Sequence, residues 1–363
     1  MSGSRAVARA RNLHPGAWWL WALGIAVAVS RTTNPLILGL VIACLGLVVA
    51  ARRTDAPWAL AFRLYVALAV FVVVLRTAVR LVFSADGPTI LFTLPTIPLP
   101  DFLTGASLLG PVSAEALLAG AYSGLQLGTI IVCVGAANAL ANPRRLLAAM
   151  PGAFYELGAV VVIAASVAPQ LAESVQRVNR ARLLRTGHTR SRHIIREVFL
   201  PVFADALDSS LALAAAMDSR GYGRRTGIPT RRRRLTSALL VLAVVALSAG
   251  AYAALDPSTI PVTVGVPVLV GGLAAAAGGL WLAGRWTSRT RYRPDPWRLG
   301  ESIAACCGIV PAVGLALLSR GAGDVLYPSI DPLEWPTLSL PVLAVVVLAA
   351  LPAVLTPPPK AAS

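Results

Sequence analysis

Residues able to do chemistry are sparse in this chain. The histidines are His14, His188 and His193, and the cysteines Cys44, Cys133, Cys306 and Cys307 all lie in apolar runs without Cys-x-x-Cys spacing. Neither set is spaced like a metal site or a disulfide framework, so the cysteines read as small buried apolar residues. Asp205 and Asp208 stand three apart and would share a helix edge. In such a place a solvated or arginine-paired carboxylate is commoner than an acid–base pair. Lysine occurs once, at Lys360 in a proline-rich tail. A P-loop needs a lysine behind its glycines to reach the terminal phosphates. The chain lacks that site, and no catalytic residue, metal or cofactor is expected. It does not read as an enzyme.

What remains is arginine, and two positions stand out. Leu184-Arg185-Thr186-Gly187 and Ser219-Arg220-Gly221 each close a helix-forming run with an arginine just before a glycine. Glycine enters the left-handed conformation that ends helices, and an arginine there can bond the last carbonyls and oppose the dipole. Capping is therefore the first reading of both arginines.

The helices that carry them lie in a segment from 142 to 235, too long and too periodic for a structureless loop. Asn142 followed by Pro143 reads as an N-cap and first helical position, and the short helix closes at Pro151-Gly152. A second helix from Tyr155 to about Arg185 starts apolar at Val160 to Val167. It then sets Leu171, Val175, Val178 and Leu184 opposite Glu173, Arg177 and Arg180. A third, from about Ser191 to Ser219, repeats Ile195, Phe199, Val202, Ala206, Leu213 and Met217 at helical spacing. Pro201 is expected to kink or interrupt it.

Flanking this segment the chain is hydrophobic. It has 363 residues, 56% apolar and 13% charged, where soluble domains average about 45–50% and roughly 25%. About eight stretches approach the roughly 20 apolar residues that a bilayer-crossing helix needs. They fall near 17–30, 35–50, 58–83, 112–141, 235–255, 262–284, 303–318 and 338–355. The fold class is thus all-α: a polytopic membrane helix bundle with transmembrane helices in 1–141, long cytoplasmic helices in 142–235 and further spans in 236–363. The first two spans are short enough for a tilted hairpin broken at Asn34-Pro35. Arg5, Arg9 and Arg11 resemble the charged start of a signal peptide. No small-residue cleavage site follows, so the first span is expected to stay.

The formal net charge of +16 could suggest nucleic acid, but the arginines are distributed by loop. With the N-terminus inside, the short cytoplasmic segments hold Arg5 to Arg11, Arg52 and Arg53, then 142–234 and 285–298; the opposite loops hold only Arg31 and Arg320. One orientation fits every loop and places both termini in the cytoplasm. The partner of this charge is the lipid bilayer and not nucleic acid. Arg63, Arg76 and Arg80 fall within the third span, near its ends, where they either snorkel or line a polar path. Ala116, Gly120, Gly124 and Gly128 repeat every four residues in the fourth span. They form a smooth stripe for close contact with another span of the chain or with a partner.

Ala216-Met217-Asp218-Ser219-Arg220-Gly221-Tyr222-Gly223 resembles the second of two Ala-Arg-Gly signatures in the T components of energy-coupling factor transporters, which include the cobalt-type permeases. His14-Pro15, Asn34-Pro35, Asn142-Pro143 with Leu146-Leu147, and Pro201 are similar to family patterns in the same order. Arg185 stands where the first signature's arginine is expected, with Gly187 displaced by one, and Ser219 replaces an alanine. The resemblance covers roughly His14 to Leu255 and leaves the last three spans unexplained.

The resemblance implies a transmembrane coupling subunit of an importer for a vitamin or metal ion, in the cell membrane. Its partners would be two cytoplasmic ABC ATPase subunits and a membrane S component that binds the substrate. ATP-driven motion would pass through the cytoplasmic helices, with Arg185 and Arg220 docking on acidic residues of the ATPases, a role suited to arginine's directional fork. A membrane-embedded enzyme would need convergent acids, bases or metal ligands. A secondary transporter would show internal repeats. Neither pattern is evident.

Overall fold

A computed structural model of the protein describes residues 12–54, 61–82, 87–93, 95, 97–98, 107–108, 110–149, 155–186, 194–221, 230–255, 261–285 and 296–358. It is an all-α polytopic bundle with very little strand. The chain forms two compact units, one of Met1–Ala149 with Asp295–Ser363 and the other of Met150–Pro294.

The first unit opens with α1 (Pro15–Val29) and α2 (Pro35–Arg52). Both start by the same local chemistry. The His14 imidazole accepts from the Gly16 N–H at 3.1 Å and the Asn34 side chain from the Leu36 N–H at 3.0 Å, each ahead of a proline at the first helical position. The link between the two helices carries Thr32 and Asn34, both fully buried, but α1 and α2 do not pair as the expected hairpin, because each packs instead on the helix Ala114–Leu140 and on C-terminal elements. Next come α3 (Phe62–Val82) and α4 (Ala114–Leu140). Between them short strands β1 (Ile90–Thr93), β2 (Ile97–Pro98), β3 (Ser107–Leu108) and β4 (Pro111–Ser113) pair antiparallel, β1 with β4 and β2 with β3. These were not read from the sequence, being only two to four residues long. The helix α5 (Pro143–Ala149) follows.

The C-terminal part of this unit is α10 (Leu299–Leu318), α11 (Gly323–Leu326), α12 (Leu340–Val347) and α13 (Pro352–Leu355), the last two joined by a 3-10 turn at Leu348–Ala350. These elements pack on α1 and α2. A Cβ on Gly24 would lie 2.5 Å from the Gly308 carbonyl carbon, and one on Gly308 would collide with the Trp21 backbone. The backbones of α1 and α10 therefore touch, which only glycine permits. Around this crossing, buried and half-buried polar side chains tie the two ends of the chain together. The Trp21 indole donates to the Ala349 carbonyl at 3.1 Å and the Thr32 hydroxyl to that of Leu326 at 2.8 Å. The Asn34 amide donates to Val325 and Thr337 at 2.7 and 2.9 Å, and the Arg52 guanidinium to Ala353 at 2.6 Å. Glu301, 1% exposed, accepts from the N–H of Arg298 at 3.0 Å and of His14 at 3.3 Å, so one carboxylate serves the starts of both α10 and α1.

The second unit contains α6 (Tyr155–Thr186), α7 (Ile194–Ser219), α8 (Thr230–Leu255) and α9 (Val262–Arg285). α8 and α9 form an antiparallel pair in which glycines set the spacing. A Cβ on Gly250 would meet Leu269 Cα at 2.8 Å, and one on Gly272 the Leu247 nitrogen at 2.9 Å. The arginine run from 231 to 234 lies in the first turn of α8. Pro169 and Pro201 sit inside helices that continue past them, so α7 does not end at Pro201.

Seven helices among the described residues are long and apolar enough to cross a membrane. Six of them match stretches read as spans. The first and last expected spans correspond to the shorter apolar helices Pro15–Val29 and Leu340–Leu355, and the seventh long one lies in α7 at Glu197–Ser219. α7 carries too few charges to separate it from a span by length and composition.

Candidate functional site

The end of α7 is where residue type and conformation coincide. The Arg220 N–H donates to the Met217 carbonyl at 3.1 Å and the Gly221 N–H to that of Asp218 at 2.9 Å. Gly221 has φ 76°, the left-handed turn that a residue with a Cβ resists. The Ser219 hydroxyl donates to the Ala216 carbonyl at 2.9 Å. The last turn of α7 is thus closed by the backbone and by a serine. The side chains of Asp218 and Arg220 are exposed, and among the described residues the Arg220 guanidinium bonds no carbonyl. What this tip presents is an acid and a base at a helix end, with Met217 half-buried behind them.

The first arginine-glycine site is described less fully. Arg185 lies in the last turn of α6, whereas Gly187 and Tyr222 lie outside the described residues.

α6 and α7 run antiparallel, joined by polar contacts at two levels. Ser174, 3% exposed, donates through its hydroxyl to the Asp205 carboxylate at 2.6 Å, which also faces Arg177 at 4.0 Å. Nearer the connecting loop, the Arg182 guanidinium lies 3.6 Å from the Glu197 carboxylate. The Asp205 carboxylate thus ties α7 to α6. Ser174, Arg182 and Glu197 did not stand out in the sequence. Ser174 and Arg182 share one α6 face with Leu171 and Val178, both half-buried, but arginine on such a face reads as solvated. Val175 and Leu184, expected on the packed face, are exposed instead, because the contact with α7 uses a narrower stripe.

The glycine stripe of α4 faces α3. A Cβ on Gly120 would lie 2.9 Å from Arg80 Cγ, one on Gly124 3.0 Å from Val73 Cα, and one on Gly128 3.3 Å from Ala69 Cβ. Ala116 is buried one turn before them. Further along, the Asn138 amide donates to the Tyr65 hydroxyl at 2.9 Å.

No three histidine, cysteine, aspartate or glutamate side chains among the described residues are grouped to hold a metal ion. What the described surface offers is helix ends and helix faces suited to contact with another macromolecule. Residues 8–230 match the family model CbiQ, described as cobalt transport protein. The chain belongs to the cobalt transport protein family. No curated protein matches it in a direct comparison. As a cobalt transport protein it is a multi-pass membrane component of a transport system. The match includes all of α1 to α7 and stops at the first residue of α8. The part of this cobalt transport protein that follows, α8 to α13, is outside the matched region, although α10 to α13 share a core with α1 and α2.

Proposed function

We propose that the chain is the transmembrane coupling subunit of an energy-coupling factor importer, with α6 and α7 as its cytoplasmic coupling helices. It would pass ATP-driven motion from two ATPase subunits to a membrane S component that releases a metal ion such as cobalt, or a vitamin, inward. The observation that carries this reading is the Arg220 guanidinium, exposed at the tip of α7 while backbone N–H groups take the Met217 and Asp218 carbonyls. A capping arginine would be spent on those carbonyls. One left outside them is available to fork onto a carboxylate of another subunit. Ala216 to Gly221, with Tyr222, form the second docking tip, and Arg185 with Gly187 the first.

The test is assembly. Leaving ATPase carboxylates unpaired costs about 2–5 kcal/mol, or tens to thousands of times in affinity. Arg220→Ala should therefore release ATPase subunits from the purified membrane complex and lower uptake, and the pair Arg185→Ala and Arg220→Ala should lose most of both. Lysine at position 220 should rescue in part, and Arg231→Ala should change little. A double variant that inserts normally, keeps its ATPases and sustains full uptake would sink this reading.

A further inference from the structure

The observations lie on α3, outside the proposed coupling helices, and do not rest on the coupling reading. Arg76 and Arg80 stand one helical turn apart, both exposed. Among the described residues neither guanidinium has a hydrogen-bond or ion-pair partner. Their stems, by contrast, are held. A Cβ on Gly120 would lie 2.9 Å from Arg80 Cγ, and one on Gly124 3.1 Å from Arg76 Cβ, so the bare backbone of α4 forms the floor on which both arginines rest. The acid nearest in sequence to that floor, Glu115, already accepts from the Thr89 N–H at 3.3 Å.

Around the two heads the surface is apolar. Phe71, Val74, Leu75, Val79 and Val82 are all exposed on the same helix, and α3 is long and apolar enough to cross a membrane. Arg80 lies two residues and Arg76 six residues before the last residue of α3, which places Arg76 about 9 Å along the axis from the helix end. From that position a guanidinium can snorkel along the helix toward the phosphate level.

We propose that Arg76 and Arg80 bind the phosphate headgroup of an anionic phospholipid in the leaflet that holds the C-terminal end of α3, its acyl chains lying along Val74, Leu75 and Val79. The site needs a ligand with a charged phosphate and a long apolar body on one molecule. A soluble anion supplies only the first. A membrane partner's carboxylate could meet the same arginines, and the experiment separates that case.

The full chain, purified in detergent, is mixed with equal amounts of dioleoylphosphatidylglycerol and dioleoylphosphatidylcholine, and retained lipid is read by native mass spectrometry. The wild type should retain the anionic lipid about tenfold over the zwitterionic one. R76Q/R80Q should reduce that preference to about twofold or less, R76K/R80K should keep most of it because the charge remains, and R31Q should keep all of it. A wild type with no preference overturns the site, even if the glutamine pair does not insert. So does a glutamine pair that keeps the full preference. Should that pair bind lipid as the wild type does and instead lose a co-purifying membrane subunit in phosphatidylcholine nanodiscs, the arginines belong to a protein contact and the lipid site is wrong.

Discussion

The unit built from the two ends of the chain and the unit of 150–294 are held together in different ways. In the first, α1 and α10 meet backbone to backbone at Gly24 and Gly308, and Trp21, Thr32 and Asn34 donate to carbonyls nearly 300 or more positions away. Its core gathers Trp21, Ile25, Ile37, Leu38, Leu45 and Leu315, each almost wholly buried. In the second, α8 and α9 also pack closely, at Gly250 and Gly272, whereas α6 meets α7 along a narrow stripe with polar contacts at two levels. Phe199, Leu200, Phe203, Leu207 and Leu211 of α7 stay exposed. Close packing with satisfied polar groups leaves one arrangement of lowest energy, whereas elements with few buried contacts open and shift at low cost. The difference teaches which part has the construction of a fixed frame and which has surface left for lipid or another chain.

Gly308→Leu should break the frame most severely. Any side chain there enters the Trp21 backbone, and separating α1 from α10 exposes the core, at more than about 3 kcal/mol. The expected outcome is loss of monodisperse protein on gel filtration. Gly271→Leu in α9, where a Cβ meets nothing within 4 Å, should behave as wild type. If both variants are equally stable, the α1–α10 crossing is not what holds the frame.

Asn34→Ala should cost somewhat less, about 2–4 kcal/mol, because it removes an N-cap together with two buried donations. Asn34→Asp sharpens the point. It keeps the cap acceptor but turns a carboxylate toward the Val325 and Thr337 carbonyls, and should be no more stable than alanine in thermal unfolding.

Substitutions in the other unit should be milder. Gly221→Ala must adopt φ 76° with a Cβ and should cost about 1 kcal/mol, confined to the end of α7. Asp205→Ala leaves the buried Ser174 hydroxyl without its acceptor and should also cost about 1 kcal/mol. Arg177→Ala should cost nothing measurable, since that side chain is 71% exposed and its contact with Asp205 is 4.0 Å long. Hydrogen exchange would read Gly221→Ala and Asp205→Ala as faster opening of α6 and α7, with Arg177→Ala like the wild type and the α1, α2 and α10 amides unchanged. Faster exchange of the frame helices in Gly221→Ala would contradict the separation.

The sequence by itself determined the all-α membrane class, the long apolar helices, the start of α2 at Asn34-Pro35, and the extents of α6 and α7 to within a few residues. All of these depend on composition, periodicity and capping, which act between near neighbours in the chain. It also marked the tip of α7, because an arginine followed by a glycine at the end of a periodic run is a local pattern. Four small residues at regular spacing made the α4 stripe visible. Gly24 and Gly308 carry no such pattern, each being one glycine in an apolar run, and they acquire meaning only when their helices cross. That α10 to α13 pack on α1 and α2, that Asn34 serves two distant carbonyls as well as its own helix, and that the Arg220 head stays clear of the carbonyls beside it were decided by tertiary structure. Which helices touch is set by matching surfaces and donors far apart in sequence, and bilayer hydrophobicity, equal for every apolar helix, cannot choose among them.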